Sequence, residues 1–253
     1  MSPVFNHQKL KVYHRALTVC AQIEDLTALW DSRHSITDHL PRAAGGIVLN
    51  IAEASAAHTG VKVPLLDSGL GSALECAACL DIAVIKGLVG EEAATRLKHE
   101  LLEVFLMLVG LRKAWQTDCV REEPAEYDTG RNTGANNTMF FHEKLDVYRT
   151  ALDVVSWFHS CGMVGRLSKV RFRELDTNIT SMVLNIAEGN GRFSGTDHCR
   201  FIETAHRAAI KVSAQLDLCE QRKQVAGDKA EEAHSLLLRI ASMTGALVER
   251  LKP

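Results

Sequence analysis

LNIAEA at residues 49–54 returns as LNIAEG at residues 184–189. Upstream, FNHQKLKVYHRALTV (5–19) is answered by FHEKLDVYRTALDV (141–154). Tyr13 then aligns with Tyr148, Leu17 with Leu152 and Asn50 with Asn185, each 135 positions further on. The two blocks keep one spacing, so the copies should share one fold. Solenoid units repeat every ~20–50 residues. A period this long reads instead as one whole domain duplicated once.

Inside each block the apolar spacing is helical. Leu10, Tyr13, Leu17 and Cys20 form one stripe of a helix near 7–30, and Leu145, Tyr148, Leu152 and Val155 repeat it. The LNIAE segment forms a second helix, ending near 57 in the first copy and near 189 in the second. Gly189 and Gly191 mark that second ending. Ser194 followed by Asp197 opens a third helix over about 195–223, and its counterpart begins near Pro64. Fourth helices follow Gly90 and Gly227, over about 90–116 and 228–251. Pro41 conflicts with a full second helix, because proline removes a hydrogen bond and clashes with the preceding turn. Residues 31–40 therefore read as loop, with Pro41 in the first turn of a shortened helix.

The expected fold is all-α: two tandem antiparallel up-and-down four-helix bundles, residues 1–117 and 139–253, joined by a flexible linker over 118–138. That linker is rich in Gly, Pro, Asn, Thr and charge. Phe5, Leu10, Tyr13, Leu17 and Leu49, with Phe140, Leu145, Tyr148, Leu152 and Leu184, are expected to face the cores.

Composition is that of an ordinary globular protein: 253 residues, 46% hydrophobic and 24% charged. The N-terminus carries no apolar signal-peptide core, and seven scattered cysteines fit reduced thiols better than a disulfide framework. The expectation is a cytoplasmic protein without membrane association. Net charge is −2, against a whole-molecule clamp on nucleic acid. The halves differ, however. Residues 1–135 hold 13 Lys+Arg against 17 Asp+Glu, whereas residues 136–253 hold 16 against 14. Arg166, Lys169, Arg171 and Arg173 crowd one stretch, and Arg192 and Arg200 follow, making the second half the better candidate for a phosphate backbone.

The second copy resembles the bacterial four-helix-bundle family of 23S rRNA intervening sequence proteins. Leu145, Val147 and Tyr148 match the L-x-V-Y of its opening F-x-x-L-x-V-Y, with Phe141 one residue further from Leu145 than that pattern has it. Ser181, Asn185, Ile186, Ala187, Glu188, Gly189, Gly191 and Arg192 match S-I-x-x-N-I-A-E-G-x-G-R, and Phe201, Ile202 and Ala205 match F-L-x-x-A. The first copy is looser: ASAAHTGVKV follows Glu53, so the glycines and arginine of that turn are missing. The family includes accessory proteins of diversity-generating retroelements, which form ring-like oligomers that bind reverse transcriptase and nucleic acid. The resemblance implies a non-enzymatic oligomeric adaptor for RNA or for a nucleic-acid enzyme such as a reverse transcriptase. A scaffold binding only protein is the alternative, and self-association between copies or chains is expected in both.

Few residues suggest chemistry. Asn50 with Glu53, and Asn185 with Glu188, share a helix face and read as a structural polar motif. Arg192 and His198, or Arg200 and His206, fit a loose ribonuclease spacing that chance alone would produce about twice in such a chain. Glu203 and His206 lack the second Glu-x-x-His of a di-iron bundle. Cys76 and Cys79 lack a second pair for zinc. The chain is expected to have no catalytic set, metal or cofactor.

Overall fold

In the computed structural model, residues 5–117, 140–192 and 194–251 are described; the expected linker lies outside them. Among the described residues every regular element is helical. The helices are α1 (Lys11–Thr27), α2 (Ile36–Ala56), α3 (Thr59–Ile85), α4 (Glu91–Thr117), α5 (Asp146–Ser160), α6 (Lys169–Asn190), α7 (Gly195–Gln221) and α8 (Gly227–Leu251). A short 3-10 turn precedes each half's first helix, at Asn6–Lys9 and Phe141–Lys144. A third lies between α5 and α6, at Met163–Gly165.

Local chemistry accounts for most boundaries. Ser194 Oγ accepts from the Asp197 backbone N–H at 3.4 Å, and Ser168 Oγ caps α6 by accepting from the Arg171 N–H at 3.4 Å. Gly87 and Gly162 sit at φ +67° and +74°, a region where other residues are strained. Two boundaries depart from the sequence reading. α2 starts at Ile36 and carries Pro41 inside it, and α3 starts at Thr59, ahead of Pro64. In both helices the proline is the sixth residue, past the first turn, so each helix gives up one backbone hydrogen bond, to the carbonyl four residues before the proline; the full burial of neighbours such as Leu40 and Leu66 offsets that loss.

α1 to α4 pack on one another, as do α5 to α8, with α2 on α3 and α6 on α7 the most extensive pairings. α3 also packs against α5 and α6. Its composition explains this double role. Residues 76–80, Cys-Ala-Ala-Cys-Leu, are all fully buried, and five consecutive helical residues cannot all face one neighbour. Gly60–Ile85 is long and apolar enough to cross a membrane, and two-thirds of its most apolar window (67%) is buried inside the fold. One continuous apolar core thus runs from α1 through α3 to α8.

That shared wall corrects part of the expected core. Phe140, Tyr148 and Leu184 are buried, and Leu10, Tyr13, Leu145 and Leu152 are half-buried against the core. Phe5, Leu17 and Leu49, read as core from the repeat, are exposed. The second half's copy of this face is covered by the first half, and the first half's copy is covered by none of the described residues.

Candidate functional site

Polar chemistry concentrates where the halves meet. Asp176 on α6 is 1% exposed; its carboxylate accepts from the Ser35 backbone N–H at 2.7 Å, from Ser35 Oγ at 2.8 Å and from the Lys86 ammonium. Ser35 immediately precedes α2, so a carboxylate from the second half serves the start of a first-half helix. Lys86 ends α3 and is itself buried. The ion pair is satisfied on both sides, as a buried pair must be to survive.

A second cluster lies nearby. Lys98 on α4 donates to Asp81 Oδ1 at 2.7 Å and ion-pairs with Glu143 Oε1 at 2.9 Å, while Tyr148 Oη donates to Asp81 Oδ2 at 2.8 Å. Burial works against the Lys98 charge, but Asp81 and Glu143 outweigh it and hold its pKa above the usual value. Burial first, then Asp81, pushes the Tyr148 hydroxyl well up, so it remains a donor. His142 is fully buried beside them, stacked on Phe140 at 5.7 Å and edge-on to Tyr148 at 4.7 Å. Neither ring nitrogen has a hydrogen-bond partner among the described residues. Burial, with the Lys98 charge adding, drops its pKa to about 3.

Ligand atoms of Asp81, His142 and Glu143 lie within 4.8 Å of one another, close enough to hold a metal ion. The Lys98 ammonium bridges the two carboxylates of that set, so the positive charge they need is supplied by the chain itself. A metal would have to displace it.

The basic residues singled out from the sequence do not form one patch. α6 is 22 residues long and separates its ends by about 30 Å. At its start, Arg166, Lys169 and Arg173 are exposed and Arg171 is half-buried. Arg173 is neutralised by Asp38 across the halves at 2.8 Å. At the far end Arg192 turns inward: it pairs with Glu188, donates to the Asp67 carbonyl at 3.3 Å and stacks over Phe201 at 4.5 Å. Arg200 stays exposed there, 3.8 Å from Asp197. Sequence reasoning missed Arg222 and Lys223, exposed in the turn after α7. Gln224 Nε2 in the same turn donates to the Arg166 carbonyl at 3.4 Å, and Arg171 and Arg222 both act on the Cys219 thiol. Arg166, Lys169, Arg171, Arg222 and Lys223 therefore share one end of the second half, and none of them is in an ion pair among the described residues.

The polar motif divides as well. Asn50 and Asn185 each donate from Nδ2 to the carbonyl four residues back, of Gly46 and Ser181, at 2.7 Å. Neither binds its neighbouring glutamate. Glu53 is exposed, whereas Glu188 is enclosed with Arg192. Burial raises the Glu188 pKa; Arg192 opposes that and Glu75 adds to it.

The glycine turn has a clear physical role. A Cβ on Gly71 of α3 would stand 2.7 Å from Arg192 Nη2 and 2.8 Å from Glu188 Oε1, so the ion pair lies directly over α3 backbone. A Cβ on Gly191 would run into Leu74 Cδ1. The turn is thus shaped to seat α3 of the other half. Gly191→Ala is expected to cost about 1–3 kcal/mol by overpacking, measured by urea unfolding. Gly195→Ala, where nothing lies within reach of the new methyl, should stay near neutral. Equal losses at both sites would rule the contact out as the cause.

Other candidates separate in space or sink into the core. His206 Nδ1 bonds Thr244 Oγ1 at 2.9 Å, and burial lowers the His198 pKa. Cys76 and Cys79 are fully buried, with burial pushing both thiols well up.

The family model described as 23S rRNA-intervening sequence protein matches residues 8–110. The match falls on the first half, which the motifs made the looser copy. No curated protein and no solved structure matches the chain.

Proposed function

We propose that the chain is a non-enzymatic, oligomeric binding module made of two fused four-helix units, and that it acts in the cytoplasm as an adaptor for RNA or for a nucleic-acid enzyme such as a reverse transcriptase. The convergence of Arg166, Lys169, Arg171, Arg222 and Lys223 around the start of α6 carries the nucleic-acid part. Five cations with no acidic partner among the described residues present a field that a phosphate backbone satisfies. The start of α6 adds the positive end of a helix dipole to it. The matched family and the repeated sequence blocks support the fused-unit part. The six described cysteines are free thiols, in keeping with a reducing setting.

Binding of a labelled single-stranded RNA to the full chain, followed by fluorescence anisotropy, should weaken as salt rises. Each phosphate contact contributes about −0.7 to the slope of log affinity against log salt. Arg166→Glu with Arg171→Glu should flatten that slope by at least about one contact's worth. Absence of binding at low salt would remove RNA and leave the protein-only scaffold. The Arg173–Asp38 pair and the inward turn of Arg192 favour that second reading.

A further inference from the structure

His142 is fully buried, yet neither of its ring nitrogens meets a partner among the described residues. A neutral imidazole carries one N–H and one lone pair. Buried polar atoms are nearly always satisfied, and an orphan of this kind points to a water or an ion that completes the site. A ring nitrogen of His142 and one carboxylate oxygen each from Asp81 and Glu143 lie within 4.8 Å of one another.

Lys98 answers only part of the demand these groups make. Its ammonium donates to Asp81 at 2.7 Å and lies 2.9 Å from Glu143, but it bonds neither nitrogen of His142. One positive charge stands against two carboxylates. A divalent ion would balance both carboxylates and engage the lone pair at once. Asp81, Lys98, Glu143 and Tyr148 line a partly open cavity of about 320 Å³, so an ion has a way in and the lysine has room to withdraw. Glu91, the first residue of α4, lines the same cavity. It lies about two turns before Lys98 on one face of that helix, the direction in which a helical side chain leans, and can receive the displaced ammonium.

We propose that Asp81, His142 and Glu143 bind one divalent transition-metal ion, Zn²⁺ the best match, which exchanges with the Lys98 ammonium and clamps the two halves together. One imidazole nitrogen and two carboxylate oxygens, with water in the fourth position, are donors that zinc accepts. Mg²⁺ and Ca²⁺ instead favour shells of six or more oxygens. The supporting contacts that orient a metal's ligands are present: Tyr148 donates to the other oxygen of Asp81 at 2.8 Å, and the His142 ring packs on Phe140 and edge-on to Tyr148. Asp81 belongs to α3 of the first half, and His142 and Glu143 to the turn that opens the second. No spacing along the chain announces the set, and an ion held by it would join the halves. The first half's opening turn does not repeat it, because Gln8 stands where Glu143 does.

That same difference supplies the decisive variant. Glu143 Oε1 caps its own turn by accepting from the Phe140 N–H at 3.4 Å, and Gln8 Oε1 does the same for Phe5 at 2.9 Å. Glu143→Gln therefore keeps the cap and removes an anionic ligand. The full chain is first stripped with EDTA, which leaves Lys98 holding the site. It is then titrated with Co²⁺, followed by visible d–d absorption, and with Zn²⁺, followed by calorimetry and thermal melting. Wild type should take up one ion with no sulfur-to-metal band, and its melting temperature should rise with free Zn²⁺. Glu143→Gln and His142→Phe should each lose that equivalent while melting cooperatively in EDTA. Tyr148→Phe should weaken binding by about 10–100-fold. Lys98→Met should bind at least about tenfold more tightly than wild type, since the ion no longer competes with a charge at its own position. A wild-type melting temperature that ignores Zn²⁺, an ion taken up equally by Glu143→Gln and His142→Phe, or a Lys98→Met variant that binds more weakly than wild type would overturn the proposal.

Discussion

Asp176→Ala is expected to lower the unfolding free energy by about 3–5 kcal/mol, the cost of stranding one buried partner of an ion pair. The substitution leaves the Lys86 ammonium, on a residue 7% exposed, without its counter-charge. It also removes the acceptor for both the Ser35 backbone N–H and its hydroxyl. Chemical denaturation measures the loss. The double variant Lys86→Met with Asp176→Asn should regain most of it, since the desolvated charge leaves with its partner. A single-variant loss below about 1 kcal/mol, the range of exposed pairs, would show that water reaches this site.

The second large effect is a loss of stability in mild acid. His142 is buried neutral with a pKa of about 3, whereas an unfolded chain takes up that proton near the ordinary histidine value of 6.5. The unfolded state is therefore favoured as pH falls below 6.5, and the folded state regains nothing until about pH 3. Stability is full above that window and declines through it by ~1.4 kcal/mol per pH unit, or about 2 kcal/mol by pH 5. His142→Phe fills the same aromatic stack and removes two unpartnered nitrogens and the titration. The difference in melting temperature between wild type and His142→Phe should be constant at high pH and widen in the variant's favour as pH drops below 6.5. Parallel pH profiles would mean that His142 finds a proton acceptor in the fold.

The helical class was legible in the sequence because amphipathic periodicity is a local property. Leu145, Tyr148, Leu152 and Val155 mark one face whatever they pack against. Ser194 announced its cap because capping needs only a hydroxyl and an N–H three residues on. Pro41 misled for the opposite reason. Its penalty is local, one lost hydrogen bond, but the contact that carries α2 back to Ile36 is not: the Asp176 carboxylate, 141 positions away, accepts from the Ser35 N–H at the start of the helix.

The site was less legible. Arg166, Lys169 and Arg171 emerged as a charge run, but Arg222 and Lys223 join them only because the α7–α8 turn folds back beside α6. Arg192 read as the last of the basic set, and Glu188 and Asp67 turn it inward. Neither Asp176 nor Lys86 could be singled out, because the repeat places Pro41 and Arg222 opposite them and one-sided residues give no echo.

By itself the sequence determined the helices, the doubling of the pattern and which residues carry a helix's apolar stripe, all set by spacing along the chain. Only the tertiary structure decided which stripes are covered. Phe5 and Phe140, or Leu49 and Leu184, are the same residue in the same local setting, yet one of each pair is buried and the other exposed. The contact between the halves covers this face of the second half, while among the described residues nothing covers it on the first. No local pattern can record which, since burial belongs to the partner across the contact rather than to the segment itself.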